Sequence, residues 1–356
     1  MNSTLTALGL SFLERYTALA LGIASTIVLS RILTPEDTGL FSIGVALTAL
    51  LAQFRDFGVG TILIQTKDLT DDKFRTTLGV SAITALLIMT VIVLGSGPAG
   101  DFYEDPGVTR VMLVTALSFA VIPFNSIVMF WLRRQMQFTA LCQMTITGAL
   151  CHAATGVGLA LLDFGYMSLA WATVANSVGT ALVAFFYRPQ QFSYVPSLKE
   201  WRTIASLGLY QTVASMCQEI ALRSADLLTG RALGMAAVGH LSRANGLVSL
   251  VNQSLIAAIM PVALSLFALK QRSGDLLGVA YLRGLGLMTA VAWPAFAFLG
   301  LMAFPLIRIL FGDQWDVAVE PARLIALAAM VSCLGVLHLI VYQATGSMRQ
   351  LMNVQL

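Results

Sequence analysis

Charge is scarce in this chain. Lys, Arg, Asp and Glu together supply 11% of its 356 residues, against roughly a quarter in soluble domains. Lysine is nearly missing, with only Lys67, Lys73, Lys199 and Lys270 present. The net charge is +3 and no Lys/Arg run is interleaved with aromatics, which excludes a nucleic-acid surface. Cysteine and histidine are equally sparse. Cys142, Cys151, Cys217 and Cys333 fall in apolar stretches without metal spacing, and His152, His240 and His338 are scattered. They read as core residues, not as metal ligands or disulfides. The chain also lacks a glycine-rich phosphate loop, a nucleophile elbow and a zinc-binding helix. No stretch between apolar segments exceeds about 15 residues, too short for a catalytic domain. The sequence therefore predicts neither an enzyme nor a cofactor site.

What fills the space is hydrophobic. Residues of that class make up 57% of the chain. About 20 helical residues cross the hydrocarbon core of a bilayer, and ten segments are candidates: 5–30, 38–64, 77–97, 108–131, 138–162, 166–187, 203–222, 237–266, 281–307 and 319–343. Alternating ten-residue strands, the mark of a membrane barrel, do not occur. The fold class predicted is an all-α polytopic membrane protein. The first segment is long, contains Glu14 and Arg15 and has no basic start, so it reads as a retained helix and not as a signal peptide.

Orientation follows from the loops, because cytoplasmic loops collect Lys and Arg. All four lysines, with Arg75, Arg133, Arg134, Arg188, Arg202, Arg272 and Arg349, fall on one side if the N-terminus is cytoplasmic. The opposite loops hold Asp101, Glu104 and Asp105, and Asp313, Asp316 and Glu320. The expected location is a cell inner membrane with the N-terminus inside.

The chain repeats itself. Residues 30–41 and 230–241 align at an offset of 200, placing Arg31 on Arg231, Leu33 on Leu233 and Gly39 on Gly239. Parallel repeats are a transporter device. The organisation expected is a first lobe of six helices over 1–187, a polar linker over 188–202, and a second lobe over 203–356. Ser197 and Glu200 form a capping-box pattern that opens the helix after the linker.

An ionisable side chain at membrane depth is costly and marks a functional candidate. Two groups qualify. Glu14 and Arg15 in the first segment and Arg55 and Asp56 in the second lie at similar depth, about 13 Å in at ~1.5 Å per residue. They either form two ion pairs, Arg15–Asp56 and Glu14–Arg55, or present arginines to a phosphate, which the planar guanidinium suits. In the other half, Glu219, Arg223 and Asp226 are spaced i, i+4, i+7, on one helical face, with Arg243 near their level. These read as a ladder of ion pairs or as a binding group. Asn125, Gln143, Asn176, Gln211, Gln218, Asn245, Asn252 and Gln253 are further polar groups within the segments, suited to interhelical bonds or to sugar hydroxyls. Trp131, Trp171 and Trp293 serve packing or interface anchoring, or sugar stacking.

The stretch SRILTPEDTGLFSIGVALTALLAQFRDFGVGTILIQ at 30–65 resembles the signature of the polysaccharide transporter family. That family holds lipid-linked oligosaccharide flippases within the multidrug/oligosaccharidyl-lipid/polysaccharide exporter superfamily. SLKEWRTIASLGLY at 197–210, ADLLTGRALGMAAVGHLSRANGLVSL at 225–250 and FGDQW at 311–315 are similar to later parts of the same pattern. The resemblance implies two six-helix lobes around a cationic cavity. It implies as partners an undecaprenyl-diphosphate-linked glycan, membrane lipid and a coupling ion, H+ or Na+. Alternating access would carry the glycan between leaflets. It further implies cavity arginines in the first, second and eighth segments, which map by position onto Arg15, Arg55 and Arg243. Glu14 and Asp56 beside two of them reduce the positive surplus. An ion-coupled drug or cation antiporter of the same superfamily is the alternative, and would rely on Glu14 or Glu219. Six segments precede the linker and four follow it, so the second lobe is expected to lack two helices, as in a truncated chain.

Overall fold

A computed structural model describes the backbone of the chain outside residues 1, 56–59, 61–62, 65–68, 200, 273–276 and 336–356, and side chains at 16–55, 60, 63–64, 69–199, 215–255, 278 and 281–335. It is built of helices, with no strand among the described residues. The first is α1 (Asn2–Ile32), followed by α2 (Pro35–Ala52), α3 (Asp71–Tyr103), α4 (Pro106–Ala116), α5 (Ser118–Arg134), α6 (Phe138–Leu161) and α7 (Tyr166–Tyr187). After the linker come α8 (Trp201–Leu233), α9 (Met235–Arg272), α10 (Leu277–Leu301), α11 (Ala303–Leu310), a 3-10 turn at Asp313–Ala318, and α12 (Val319–Ser332). Among the described residues the apolar segments read from the sequence fall mostly in helix, because a backbone in hydrocarbon must satisfy its own polar groups.

Among the described residues, six helical spans are long and apolar enough to cross a membrane, including Asp71–Tyr103 and the near-continuous Pro106–Arg134. Large apolar side chains face outward along them. Leu94 is 73% exposed, Phe186 82% and Leu287 73%, which in water would be an aggregation surface and in lipid is the expected contact. The chain is a multi-pass membrane protein.

Two expectations need adjusting. The segment 38–64 is not one uninterrupted helix: α2 ends at Ala52, and Gln53–Arg55 form a turn. There Phe54 N–H donates to Leu51 O (3.2 Å) and Arg55 N–H to Ala52 O (3.0 Å), the tight i→i−3 pattern of a terminating helix. Gln53 and Arg55 supply polar side chains that compete for the backbone or for neighbours. In addition, α8 runs to Leu233, eleven residues past the predicted 222. The helix needs no membrane beyond its apolar core to persist, because it packs on α2 and α3.

The chain divides into two compact units, Met1–Val238 and Gly239–Leu356. In the first, α1, α6 and α7 pack together, α5 lies on α7 and α3, and α4 lies on α2, α3 and α7. Small residues permit this closeness. Gly44 of α2 sits against Val111 of α4, and Gly148 of α6 against Asn176 and Thr180 of α7, in line with helix packing in lipid. One end of the core is built from Phe74, Leu78, Ile127, Val128, Leu132 and Met144. The other is built from Ile43, Ile88, Ile92, Val108 and Phe119 with Met235 and Val238.

Local chemistry fixes the ends. Thr34 and Asp37 form a capping box at the start of α2, and Asp37 Oδ1 also accepts from Tyr166 N–H at 3.0 Å. One carboxylate thereby ties two helix starts. The linker after α7 is docked and not loose. Asp71 Oδ1 accepts from Ser193 N–H (2.7 Å), and Arg75 Nε donates to Val195 O (2.9 Å). Phe192 stacks on Phe74 with ring centres 4.6 Å apart. The second unit packs α9, α10, α11 and α12 around Phe296, Ile307 and Trp315, all nearly or wholly buried.

Candidate functional site

Arg55 occupies the turn that ends α2, half-buried, with Thr84 Oγ1 of α3 bonded to its carbonyl at 3.4 Å. A broken helix places polar backbone and a cation at one level of the membrane, an arrangement that transporters use to meet charged cargo. Asp56, its expected neighbour, lies outside the described residues, as do the side chains of Glu14 and Arg15 on α1. The Arg15–Asp56 and Glu14–Arg55 pairings therefore fall outside what the structure describes.

On α8, the i, i+4 spacing of Glu219 and Arg223 produces the pair anticipated: Arg223 Nε donates to Glu219 Oε1 at 2.9 Å. Glu219 has a second partner that spacing could not reveal. Gln53 Nε2, in the turn after α2, donates to its other oxygen at 3.4 Å. Asp226 does not join the ladder. It is 8% exposed and its Oδ1 accepts no hydrogen bond among the described residues. A buried carboxylate oxygen without a donor is costly. Towards the end of α8, Gly230 packs against Ile43, Tyr103 OH donates to Leu227 O at 3.2 Å, and Arg231 pairs with Glu104 at 3.0 Å. These contacts form one seam between α8 and the pair α2 and α3.

Arg243 lies in the second unit, on α9. Its guanidinium sits over the faces of Trp315 (5.1 Å) and Phe311 (5.9 Å). His240 meets the Trp315 ring edge-on at 5.7 Å. Aromatic faces attract a guanidinium through the ring quadrupole. They also orient its plane, which matters for a fork that recognises oxyanions bidentately. Sequence reading noted FGDQW only as a pattern. That its Phe and Trp form a box for Arg243 has no local signal, since 72 residues separate Arg243 from Trp315. Gln53 was likewise not singled out. Among the described residues no group of three or more His, Cys, Asp or Glu could hold a metal ion.

Comparison with known proteins places this geometry. The sequence pattern of a family described as "Polysaccharide biosynthesis protein" matches residues 28–320. Relatives include the lipopolysaccharide biosynthesis protein WzxC of Escherichia coli (strain K12), 21% identical over 89% of this chain and 65% of its own length. The teichuronic acid biosynthesis protein TuaB of Bacillus subtilis (strain 168) is 20% identical over 78% of this chain and 58% of its own. The succinoglycan biosynthesis transport protein ExoT of Rhizobium meliloti (strain 1021) is 22% identical over 90% and 65%. The chain thus spans 58–65% of the length of these three relatives. Its fold is similar to that of the lipid II flippase MurJ in an inward closed conformation, with a TM-score of 0.77 at 12% identity over 95% of this chain and 76% of that one. A MATE transporter in the straight conformation follows at 0.63, with 17% identity over 98% and 84%. With more than four fifths of its residues inside the family pattern, the chain belongs to the polysaccharide biosynthesis protein family of multi-pass membrane proteins.

Proposed function

We propose that this chain acts in a flippase that moves an undecaprenyl-diphosphate-linked oligosaccharide across a bacterial inner membrane, from the cytoplasmic to the outer leaflet, for surface polysaccharide assembly. The observation that carries this reading is Arg243, a cation held over Trp315 and Phe311, two rings of the second unit's buried apolar core. Charges and hydroxyls cannot enter hydrocarbon without replacements for water. Arg243, Arg55 and Arg15 replace it for the diphosphate, while amide side chains such as Gln53 replace it for sugar. The seam of α8 on α2 and α3 supports alternating access. It includes the Gly230–Ile43 contact, hydrogen bonds from Tyr103 to Leu227 O and from Gln53 to Glu219, and the exposed Arg231–Glu104 pair, all of which can break and reform. The N-terminus is cytoplasmic on this reading, and a coupling ion, H+ or Na+, drives the cycle.

One observation favours a second reading. The buried Asp226, with Glu219 a turn and three residues before it, suits an ion-coupled drug or cation antiporter. The two separate in cells lacking their own flippase. Arg243→Ala at normal membrane abundance should abolish glycan export, and Arg243→Lys should restore part of it, since an ammonium lacks bidentate geometry. Unchanged export in Arg243→Ala, with cation efflux lost in Asp226→Asn, would overturn the flippase reading in favour of the antiporter.

A further inference from the structure

A cavity of about 520 Å³ lies within the first unit, where the end of α5 meets the start of α6, walled by α1 and α7. Arg55, the seam of α8 and Arg243 do not line it. Arg133, in the last turn of α5, lines it, and its side chain makes no hydrogen bond or ion pair among the described residues. Asn176 of α7 lines it too. The Asn176 carbonyls accept from Thr180 Oγ1, at 2.8 Å on the backbone and 3.4 Å on the side chain, while its Nδ2 donates to no group among the described residues. Among the described residues that line it there is no acidic side chain. Apart from Thr145 and Thr180 the remaining wall is apolar, with Met129 and Met144 prominent. Two donors, one cationic, and two threonine hydroxyls around an otherwise apolar hollow match a ligand rich in acceptors at one end and greasy at the other.

We propose that this cavity binds the phosphate-bearing head of an anionic membrane lipid, its phosphate on Arg133 and an ester or hydroxyl oxygen on Asn176 Nδ2. The position fits. Arg133 stands at the helix ends that also carry Arg134 and Arg188, where lipid phosphates lie, and Met129 is one helical turn deeper. An arginine there forms charge-assisted bonds to phosphate oxygens. The site does not depend on the transport reading.

Native mass spectrometry of the purified full chain in detergent tests it, with phosphatidylglycerol and phosphatidylethanolamine of identical acyl chains as probes. Phosphatidylglycerol should be retained at least fivefold more, and Arg133→Gln should remove that preference. Arg188→Gln, a cation at the same end that stacks on Phe185, should leave it intact. Met129→Trp, which fills the hollow from its apolar side, should also abolish retention, so the test survives if Arg133→Gln fails to fold. Equal retention of the two lipids, or equal loss in the Arg133 and Arg188 variants, would overturn the proposal. A glycerol 3-phosphate arm separates the sources: Arg133-dependent retention of that soluble ester at low micromolar concentration, without lipid preference, would overturn the lipid assignment.

Discussion

Gly230 of α8 and Ile43 of α2 touch so closely that the glycine has no room for a side chain: a Cβ would stand 2.5 Å from Ile43 Cδ1. Ile43 is itself fully buried. The contact brings two helices together at a point 187 residues apart in sequence. It anchors a seam that Tyr103 and Leu227 extend by a hydrogen bond.

Gly230→Val should force that seam apart, because the β-branched side chain cannot retract from Ile43 and overpacking costs about 1–3 kcal/mol. Shortening the partner in Gly230→Val with Ile43→Ala should recover part of the loss. Disulfide formation between cysteines placed at 104 and 231 reads the seam directly. It should fall in the single variant and return in the double. The native Glu104–Arg231 pair is too exposed, at 72% and 50%, to hold the seam alone. Glu104→Gln should shift stability by less than about 1 kcal/mol.

Trp315 serves both packing and charge placement. Trp315→Ala should cost about 3–5 kcal/mol, as for other large buried aromatics, and lower the protein level in the membrane. Trp315→Phe keeps most of the contact area but weakens the attraction for Arg243, because the indole face is the strongest cation partner. Export per molecule should then drop severalfold at near-normal abundance. Equal activity in the Phe variant would remove Trp315 from any functional role.

Asp37 is a cap with two duties. It closes the capping box with Thr34 and accepts from Tyr166 N–H. Thr34→Ala should cost about 1 kcal/mol, the usual value of a lost N-cap. Asp37→Ala should cost more, since it also strands the Tyr166 amide. Thermal unfolding in detergent should rank the two variants in that order. Gly165→Ala should resemble Asp37→Ala, because φ is +52° there and a Cβ would meet Asp37 Oδ1 at 2.7 Å.

Tyr194 gives the linker a pH limit. Its hydroxyl is buried among Phe74 and Phe124 without a hydrogen-bond partner among the described residues. Burial pushes its pKa from the ordinary 10.0 up to about 12, opposed in part by the charge of Arg188. The folded value is the higher one, so the docked linker keeps its full stability below about pH 10. That stability is lost as pH rises towards about 12, because the undocked phenol ionises first. Protease cleavage within 189–199 should rise over that window, and Tyr194→Phe should flatten the rise while remaining folded at neutral pH.

Hydrophobicity along the chain was enough to determine an all-helical membrane protein and to mark the six membrane-length spans seen among the described residues, because bilayer insertion acts on one segment at a time. Glu219 with Arg223 was equally legible, since helical geometry alone brings i and i+4 together. The rest was decided by tertiary structure. The break after Ala52 was hidden because its apolar flanks read as continuous. Arg243 looked like an isolated charge until folding set it over Trp315 and Phe311. Asp226 shares a predicted face with Arg223, yet packing buries it and leaves Oδ1 unbonded. Arg133 read as an ordinary loop cation, and only the meeting of α1, α5, α6 and α7 gives it a cavity to line. Sequence periodicity assigns a residue to a face of its own helix. Which groups stand opposite that face depends on packing between segments distant in the chain.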